Sequence, residues 1–219
     1  MNEVFLDTET TGLSFKEGHK IVEIACIETK DLISTGNTFH RFINPQRNIP
    51  EEAFKIHGFS EKFLSTKETF DKISDDFLNF IDGKKIIIHN ASFDLSFLNG
   101  ELGLLDKSPI DKKLVVDSLE VARNKFPGVS NSLDALCKRF NVDLSKRTKH
   151  NALLDCQLLR EVYINLLDVK EPKFNLTTKD LDQNILISKN YNKKILEISD
   201  SEIKMHKEFL KKDLKKNYY

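Results

Sequence analysis

The chain has 219 residues, enough for one ordinary domain with a sizeable tail, or for a small pair. Lys+Arg and Asp+Glu both number 34, so the formal net charge is zero and a uniformly basic nucleic-acid wrapper is excluded. An acidic disordered chain is excluded too, because 39% of the residues are hydrophobic.

The neutrality is a sum of unequal parts. Residues 170–219 hold 12 Lys against 8 acids, or +4, and residues 1–169 hold 22 basic against 26 acidic residues, or −4. No window approaches 18 consecutive apolar residues, so no membrane partner is expected. The start, Met1-Asn2-Glu3-Val4, lacks the basic n-region of a signal peptide. Cys26, Cys137 and Cys156 are far apart and form no C-x-x-C pair. They read as reduced, semi-buried thiols of a cytoplasmic protein, not as a zinc knuckle or a redox pair.

In chain order, Val4-Phe5-Leu6 predicts a buried strand, ended by a turn at Thr10-Thr11-Gly12. Ile21 to Ile27 predicts a second strand, and the alternating Thr38-Phe39-His40-Arg41-Phe42-Ile43 a third. Thr35-Gly36-Asn37 between them has the composition of a hairpin turn. Pro50-Glu51-Glu52 starts a helix, with proline in the first turn and acids where the helix dipole favours them. Phe70, Ile73, Phe77, Leu78 and Ile81 fall on one helical face.

Lys85 to His89 is a further strand, followed by a helix with Phe93, Phe97, Leu98 and Leu102 on one side. Leu114-Val115-Val116 is a short strand, and Asp117 is placed to cap the helix after it. Ser132 opens a helix with Leu133, Leu136, Cys137 and Phe140 inward, and Leu154, Leu158, Val162 and Leu166 mark the last helix of the domain. Glu171-Pro172 ends the domain. Ser199-x-x-Glu202 is a capping box ahead of Ile203, Leu210 and Leu214 in the tail. A three-strand meander followed by helices alternating with two strands predicts a mixed α/β sheet flanked by helices.

Three clusters carry candidate chemistry. Asp7 and Glu9 in Asp7-Thr8-Glu9 project from the same side of a strand end, where a divalent metal relieves their repulsion. Asp94 follows Ile86-Ile87-Ile88 at a strand-to-helix junction, where open sheets place ligands. His150 and Asp155 are five residues apart, roughly 140° round a helix, so they cannot share a helical face. If both serve one site, Asp155 sits in the helix and His150 in the looser segment before it, as suits a mobile base. Each cluster alone has an ordinary reading, as a surface acid pair, a first-turn helix acid and an exposed loop histidine. Together they place four carboxylates and one histidine at the ends of core elements. Oxygen donors suit Mg²⁺ or Mn²⁺ better than zinc, and two such ions about 3.5–4 Å apart serve in-line displacement at phosphorus.

Residues Val4 to Leu13, His89-Asn90-Ala91-Ser92-Phe93-Asp94 and His150-Asn151-Ala152-Leu153-Leu154-Asp155 resemble the three motifs of the DnaQ-like, DEDDh-type 3′–5′ exonucleases. The likeness runs through residues 3–165 and is nearest to the proofreading subunits of bacterial DNA polymerase III. Gly18 to Ile24, Phe126-Pro127-Gly128, Asn131 to Cys137 and Ser145-Lys146-Arg147-Thr148 share it.

The resemblance implies a ribonuclease-H-like fold, a mixed five-stranded sheet flanked by helices with a C-terminal tail. It implies an exonuclease domain over 1–169 and a polymerase-docking tether over 170–219. It assigns Asp7, Glu9, Asp94 and Asp155 to two divalent metal ions, Mg²⁺ or Mn²⁺, and His150 to the general base. Glu52 and His57 correspond to residues that touch the terminal nucleotide, with Thr10, Asn90 and Phe93 lining the site. The implied partners are a single-stranded, frayed or mismatched DNA 3′ end and the polymerase catalytic (alpha) subunit, with a sliding clamp and a small accessory subunit beside them. Gln183-Asn184-Ile185-Leu186-Ile187 loosely resembles a clamp-binding motif. The implied location is the cytoplasm, at the replication fork on the nucleoid. An RNA-trimming relative and a mainly structural polymerase–clamp adaptor are the alternatives.

Overall fold

The computed structural model describes residues 2–145, 147, 149–168 and 199–213. The chain divides into two compact units, Met1–Asn175 and Leu176–Tyr219. The expected boundary at 169/170, the Glu171-Pro172 terminator and the Gln183 segment lie outside the described residues.

The first unit is built on a five-stranded sheet of order β3-β2-β1-β4-β5. Strands β1 (Asn2–Thr10), β2 (Ile21–Lys30) and β3 (Ile33–Phe42) form the expected antiparallel meander. Strands β4 (Lys85–Ile88) and β5 (Val115–Asp117) add in parallel beside β1. The helices are α1 (Glu51–His57), α2 (Glu61–Leu64), α3 (Phe70–Ile81), α4 (Ala91–Leu104), α5 (Ser118–Lys125), α6 (Leu133–Phe140) and α7 (Ala152–Leu166).

Strand alternation sorts the central residues between two layers. Val4 and Leu6 pack with Ile73 and Phe77 of α3 and with Phe97 and Leu98 of α4. Phe5, between them in sequence, packs with Ala152, Cys156, Leu159 and Tyr163 of α7. A strand covered on both faces reads as an unbroken apolar run, which is why Val4-Phe5-Leu6 carries no alternation. Each such side chain contributes roughly 1.5–3 kcal/mol on full burial. All three cysteines are free and fully buried, deeper than the semi-buried position expected of them.

The hairpin between β2 and β3 turns elsewhere than its composition suggests. The turn is Asp31-Leu32, both at positive φ (53° and 67°), the two-residue geometry that matches strand twist. Thr35-Gly36-Asn37 instead forms a bulge inside β3, between the Ile27–Thr38 and Thr29–Ser34 pairs. Gly36 takes φ 86° there, so a bulge draws on the same residue types as a turn. The Glu28 carboxylate holds the bulge by accepting from Thr35 Oγ1 (2.9 Å) and Asn37 Nδ2 (2.7 Å).

The second unit contains α8 (Asp200–Asp213). Its capping box forms, with Ser199 N donating to Glu202 Oε2 (3.0 Å) and Glu202 N to Ser199 Oγ (3.4 Å). Leu214 lies outside the described residues.

Candidate active site

The site forms at the C-terminal end of β1, beside the start of α4 and the start of α7. On β1 the odd positions that bring Phe5 to α7 carry Asp7 and Glu9 out on that same side. Thr8 faces the other layer and binds Asp94 from the first turn of α4. Thr8 N and Thr8 Oγ1 both donate to Asp94 Oδ1, at 3.1 and 2.7 Å. Asp94 is therefore fixed by β1 itself.

Asp155 lies one turn inside α7, and His150 precedes that helix and its extended N-cap Asn151, outside any helix or strand, as their spacing required. Ligand atoms of Glu9, His150 and Asp155 all fall within 4.8 Å of one another. Asp7 lines the same groove as His150 and Asp155.

The electrostatics of the cluster suit a bound cation. Burial pushes the Asp7 carboxyl well above the ordinary range, and the Asp94, Glu9 and Asp155 charges add to it. Burial also lifts Glu9 to about 8, helped by Asp155, Glu23 and Asp94. Asp94 rises to about 7 through burial, which its Thr8 hydrogen bonds only partly offset. Asp155 is the exception: burial raises it, but hydrogen bonds from His150 and Arg147 hold it below the usual value. Arg147 forks onto Asp155, Nε to Oδ1 and Nη2 to Oδ2, both at 2.7 Å, and also binds Asp134. His150 Nδ1 lies 2.9 Å from Arg147 Nη2 and 3.4 Å from Asp155 Oδ2. It accepts from the guanidinium in one tautomer and donates to the carboxylate in the other. Clustered carboxylates that resist ionisation, all with oxygen donors, fit a hard divalent cation.

The remaining expected residues are placed less uniformly. His57 is buried at the end of α1, with Nδ1 accepting from Phe59 N (2.9 Å) and Nε2 lacking any partner. Burial and the nearby Lys149 push it down to about 4, so it is a neutral ring with one unused N–H. His150 N donates to Ile56 O (3.2 Å), which ties the end of α1 to the histidine segment. Glu52 is exposed on the first turn of α1. Thr10 Oγ1 donates to Gly12 O (2.7 Å). Asn90 lines the groove in left-handed backbone (φ 69°) at the N-cap of α4. Phe93 packs on Phe97, ring centroids 5.1 Å apart, and stays half-buried.

One supporting residue goes unread in the sequence, and a second does more than its sequence reading gave. Glu23 on β2 is fully buried and accepts from His40 Nε2 (2.7 Å), Asn151 Nδ2 (2.8 Å) and Ala152 N (3.0 Å). It anchors the start of α7, and so the spacing of His150 and Asp155. A lone acid inside the apolar strand Ile21-Val22-Glu23-Ile24 was the signal for it. Asp117 caps α5 as expected, but its carboxylate also accepts from Asn90 N and Ala91 N (both 3.0 Å), fixing the start of α4.

The RNase T exonuclease family model matches residues 4–163. DNA polymerase III subunit epsilon of Rickettsia felis is 45% identical over 224 residues, covering 98% of each chain. The subunit of the same name from Escherichia coli K12 is 48% identical over 170 residues, covering 74% of this chain and 70% of that one. The chain belongs to the epsilon-subunit family of exonucleases. Among solved structures, exonuclease X in complex with 5′-overhanging duplex DNA is 26% identical at a TM-score of 0.60, covering 77% of this chain and 92% of that one. The nuclease domain of 3′hExo, a DEDDh family member bound to rAMP, aligns at a TM-score of 0.65 and 17% identity. It covers 80% of this chain and 96% of its own, and shows the shared fold. The epsilon relatives thus carry the likeness in sequence, and the DEDDh structures carry it in architecture.

Proposed function

We propose that this epsilon-family exonuclease proofreads replication by hydrolysing the 3′-terminal phosphodiester of DNA and releasing nucleoside 5′-monophosphates. The observation that carries the reading is the convergence of Glu9, His150 and Asp155 beside Asp7, against a β1 end that also grips Asp94. Asp7, Glu9, Asp94 and Asp155 are the residues that would hold two divalent cations, Mg²⁺ or Mn²⁺. Such ions, when bound, polarise the phosphate and offset the charge that builds on the attacking and leaving oxygens.

The chain's own groups supply the rest. His150 stands in loose chain at the edge of the acid cluster, where a neutral imidazole takes the proton of the attacking water, worth roughly 10²–10⁴ in rate. The water oxygen bonds to phosphorus, the bond to the 3′-oxygen breaks, and that oxygen leaves protonated from solvent. His57, neutral and with its Nε2–H unused, offers a donor to the terminal nucleotide. Glu52, Thr10, Asn90 and Phe93 complete the seat. A frayed or mispaired end reaches it more readily, because unpairing costs less there.

The names of the epsilon relatives support DNA over RNA as substrate and a replicative polymerase as partner. In this reading residues 1–169 are the exonuclease domain, and residues 170–219 dock the polymerase catalytic (alpha) subunit. Gln183 to Ile187 would contact the sliding clamp, and a small accessory subunit would complete a cytoplasmic assembly at the fork.

The test is degradation of a 3′-mismatched DNA primer and a matched RNA, with Mg²⁺ or Mn²⁺. DNA is expected to be degraded faster, and Asp7→Ala to lose activity while keeping a native circular dichroism spectrum. Full activity in Asp7→Ala would refute the cation assignment. A preference for RNA would favour the trimming alternative.

A further inference from the structure

The groove at the acid cluster extends beyond it. It encloses about 570 Å³ and reaches from Asp7, His150 and Asp155 to a far wall that includes Arg123, Val129 and Ser130. The chemistry above uses none of these three.

That wall is rigidly built. Residues 126–132 join α5 to α6 around the buried Asn131. Its amide donates to Phe126 O (2.9 Å) and Val129 O (3.0 Å), and its Oδ1 accepts from Arg139 Nη1 (3.2 Å). The Arg139 guanidinium lies over the Phe126 ring, 4.4 Å from its centroid. The bracket is fastened to the end of β4 by His89, whose Nε2 donates to Asn131 O (3.0 Å) and whose Nδ1 meets Ser118 Oγ (2.9 Å). Burial pushes His89 down, in keeping with a neutral ring in this role.

On this fixed wall Arg123 is exposed and has no hydrogen-bond or ion-pair partner among the described residues. Arg147, the other arginine of the groove, is spent on Asp155 and Asp134. Val129 keeps 54% of its surface exposed beside Arg123.

The direction of the strand decides what this wall meets, and here the inference rests on the exonuclease reading. His57 and Glu52, assigned to the terminal nucleotide, lie on α1, which adds no residue to the lining of this groove, and the cleaved phosphodiester lies at the acids. The strand 5′ of the cut then leaves from the acids along the groove that Arg123 lines. We propose that Arg123 binds the phosphodiester next to the cleaved one, with the Ser130 hydroxyl as second donor and Val129 against the sugar or base. A guanidinium is suited to a phosphate because its fork matches the oxygens. In a domain of net charge −4, one groove arginine without a partner among the described residues carries weight that a basic surface would otherwise share.

Two substrates separate this role from the chemistry. One is a single-stranded oligodeoxynucleotide. The other is the p-nitrophenyl ester of thymidine 5′-monophosphate, which has the terminal nucleotide and the cleaved bond but no strand beyond it. For Arg123→Ala, kcat/KM on the oligonucleotide relative to the aryl ester is expected to fall about tenfold, carried by KM. The dependence of log KM on log salt should become shallower by about 0.7, the value for one single-strand phosphate contact. Arg123→Lys should restore most of the ratio, and Arg123→Glu should lower it further. Thermal unfolding reports folding in each variant. An unchanged ratio, or equal losses on both substrates, would overturn the assignment of Arg123. Wild-type protein inactive on both substrates with either cation would overturn the exonuclease reading itself.

Discussion

Glu9→Gln isolates the electrostatic cost of the acid cluster. Burial, with Asp155, Glu23 and Asp94 nearby, moves the Glu9 carboxyl from its ordinary value of 4.5 to about 8. At about 1.4 kcal/mol per pH unit, ionising it in the folded protein at pH 8 costs roughly 4 kcal/mol. The cluster titrates as a unit, so relief from one neutral replacement is closer to about 2–4 kcal/mol. The sign follows from a folded value above the unfolded one. The stability this group contributes is present below about pH 4.5 and is lost as pH rises through about 8.

In chelator, the variant should therefore melt higher than wild type at pH 8, by on the order of 10 °C for a domain of this size. The difference should shrink toward zero near pH 4.5. Saturating Mn²⁺ or Mg²⁺ should close much of this gap. A cation at about a hundredfold above its dissociation constant stabilises wild type by roughly 2.7 kcal/mol, and the variant by less. Melting curves across pH, with chelator and with cation, check each arm. A variant no more stable than wild type at pH 8 in chelator would refute the claim that repulsion among these carboxylates is stored in the fold.

His150→Ala should lower kcat by roughly 10²–10⁴, while calorimetry still detects cation binding. An unchanged kcat would dismiss His150 as the base. Glu23→Leu orphans the Ala152 N–H and the Asn151 amide, each costing about 1–3 kcal/mol, so denaturant unfolding should show a clear loss of stability. Its kcat should fall further than that of a core variant matched in stability, such as Ile27→Ala, because the start of α7 sets the spacing of His150 and Asp155. Equal kcat in the two would show Glu23 to be a packing residue only.

The residues of the candidate site were legible because the proposed chemistry needs particular side chains at element ends, and those ends are marked by composition. Apolar runs locate β1 and β4, and the acids after them fall where strand and helix geometry puts them. The hairpin turn was not legible, because Gly36 supplies positive φ to a bulge as readily as to a turn. The half-buried Phe93 was not decided either, since a Phe at that helical position serves core and groove equally until Phe97 is seen beneath it.

By itself, then, the sequence determined the element order, the mixed sheet and the set of acids with their histidine, because periodicity and residue chemistry are local properties. Only the tertiary structure decided how those groups are held. Thr8 grips Asp94 across 86 positions of sequence, Glu23 grips the start of α7 across more than a hundred, and Arg147 is committed to Asp155 while Arg123 is left for the groove. Hydrogen bonds between distant segments depend on which faces the packed layers bring together, and no local pattern records that. The zero net charge shows the same division. Its sum is read from composition, but the repulsion among the buried carboxylates of β1, α4 and α7 exists only once the chain is folded.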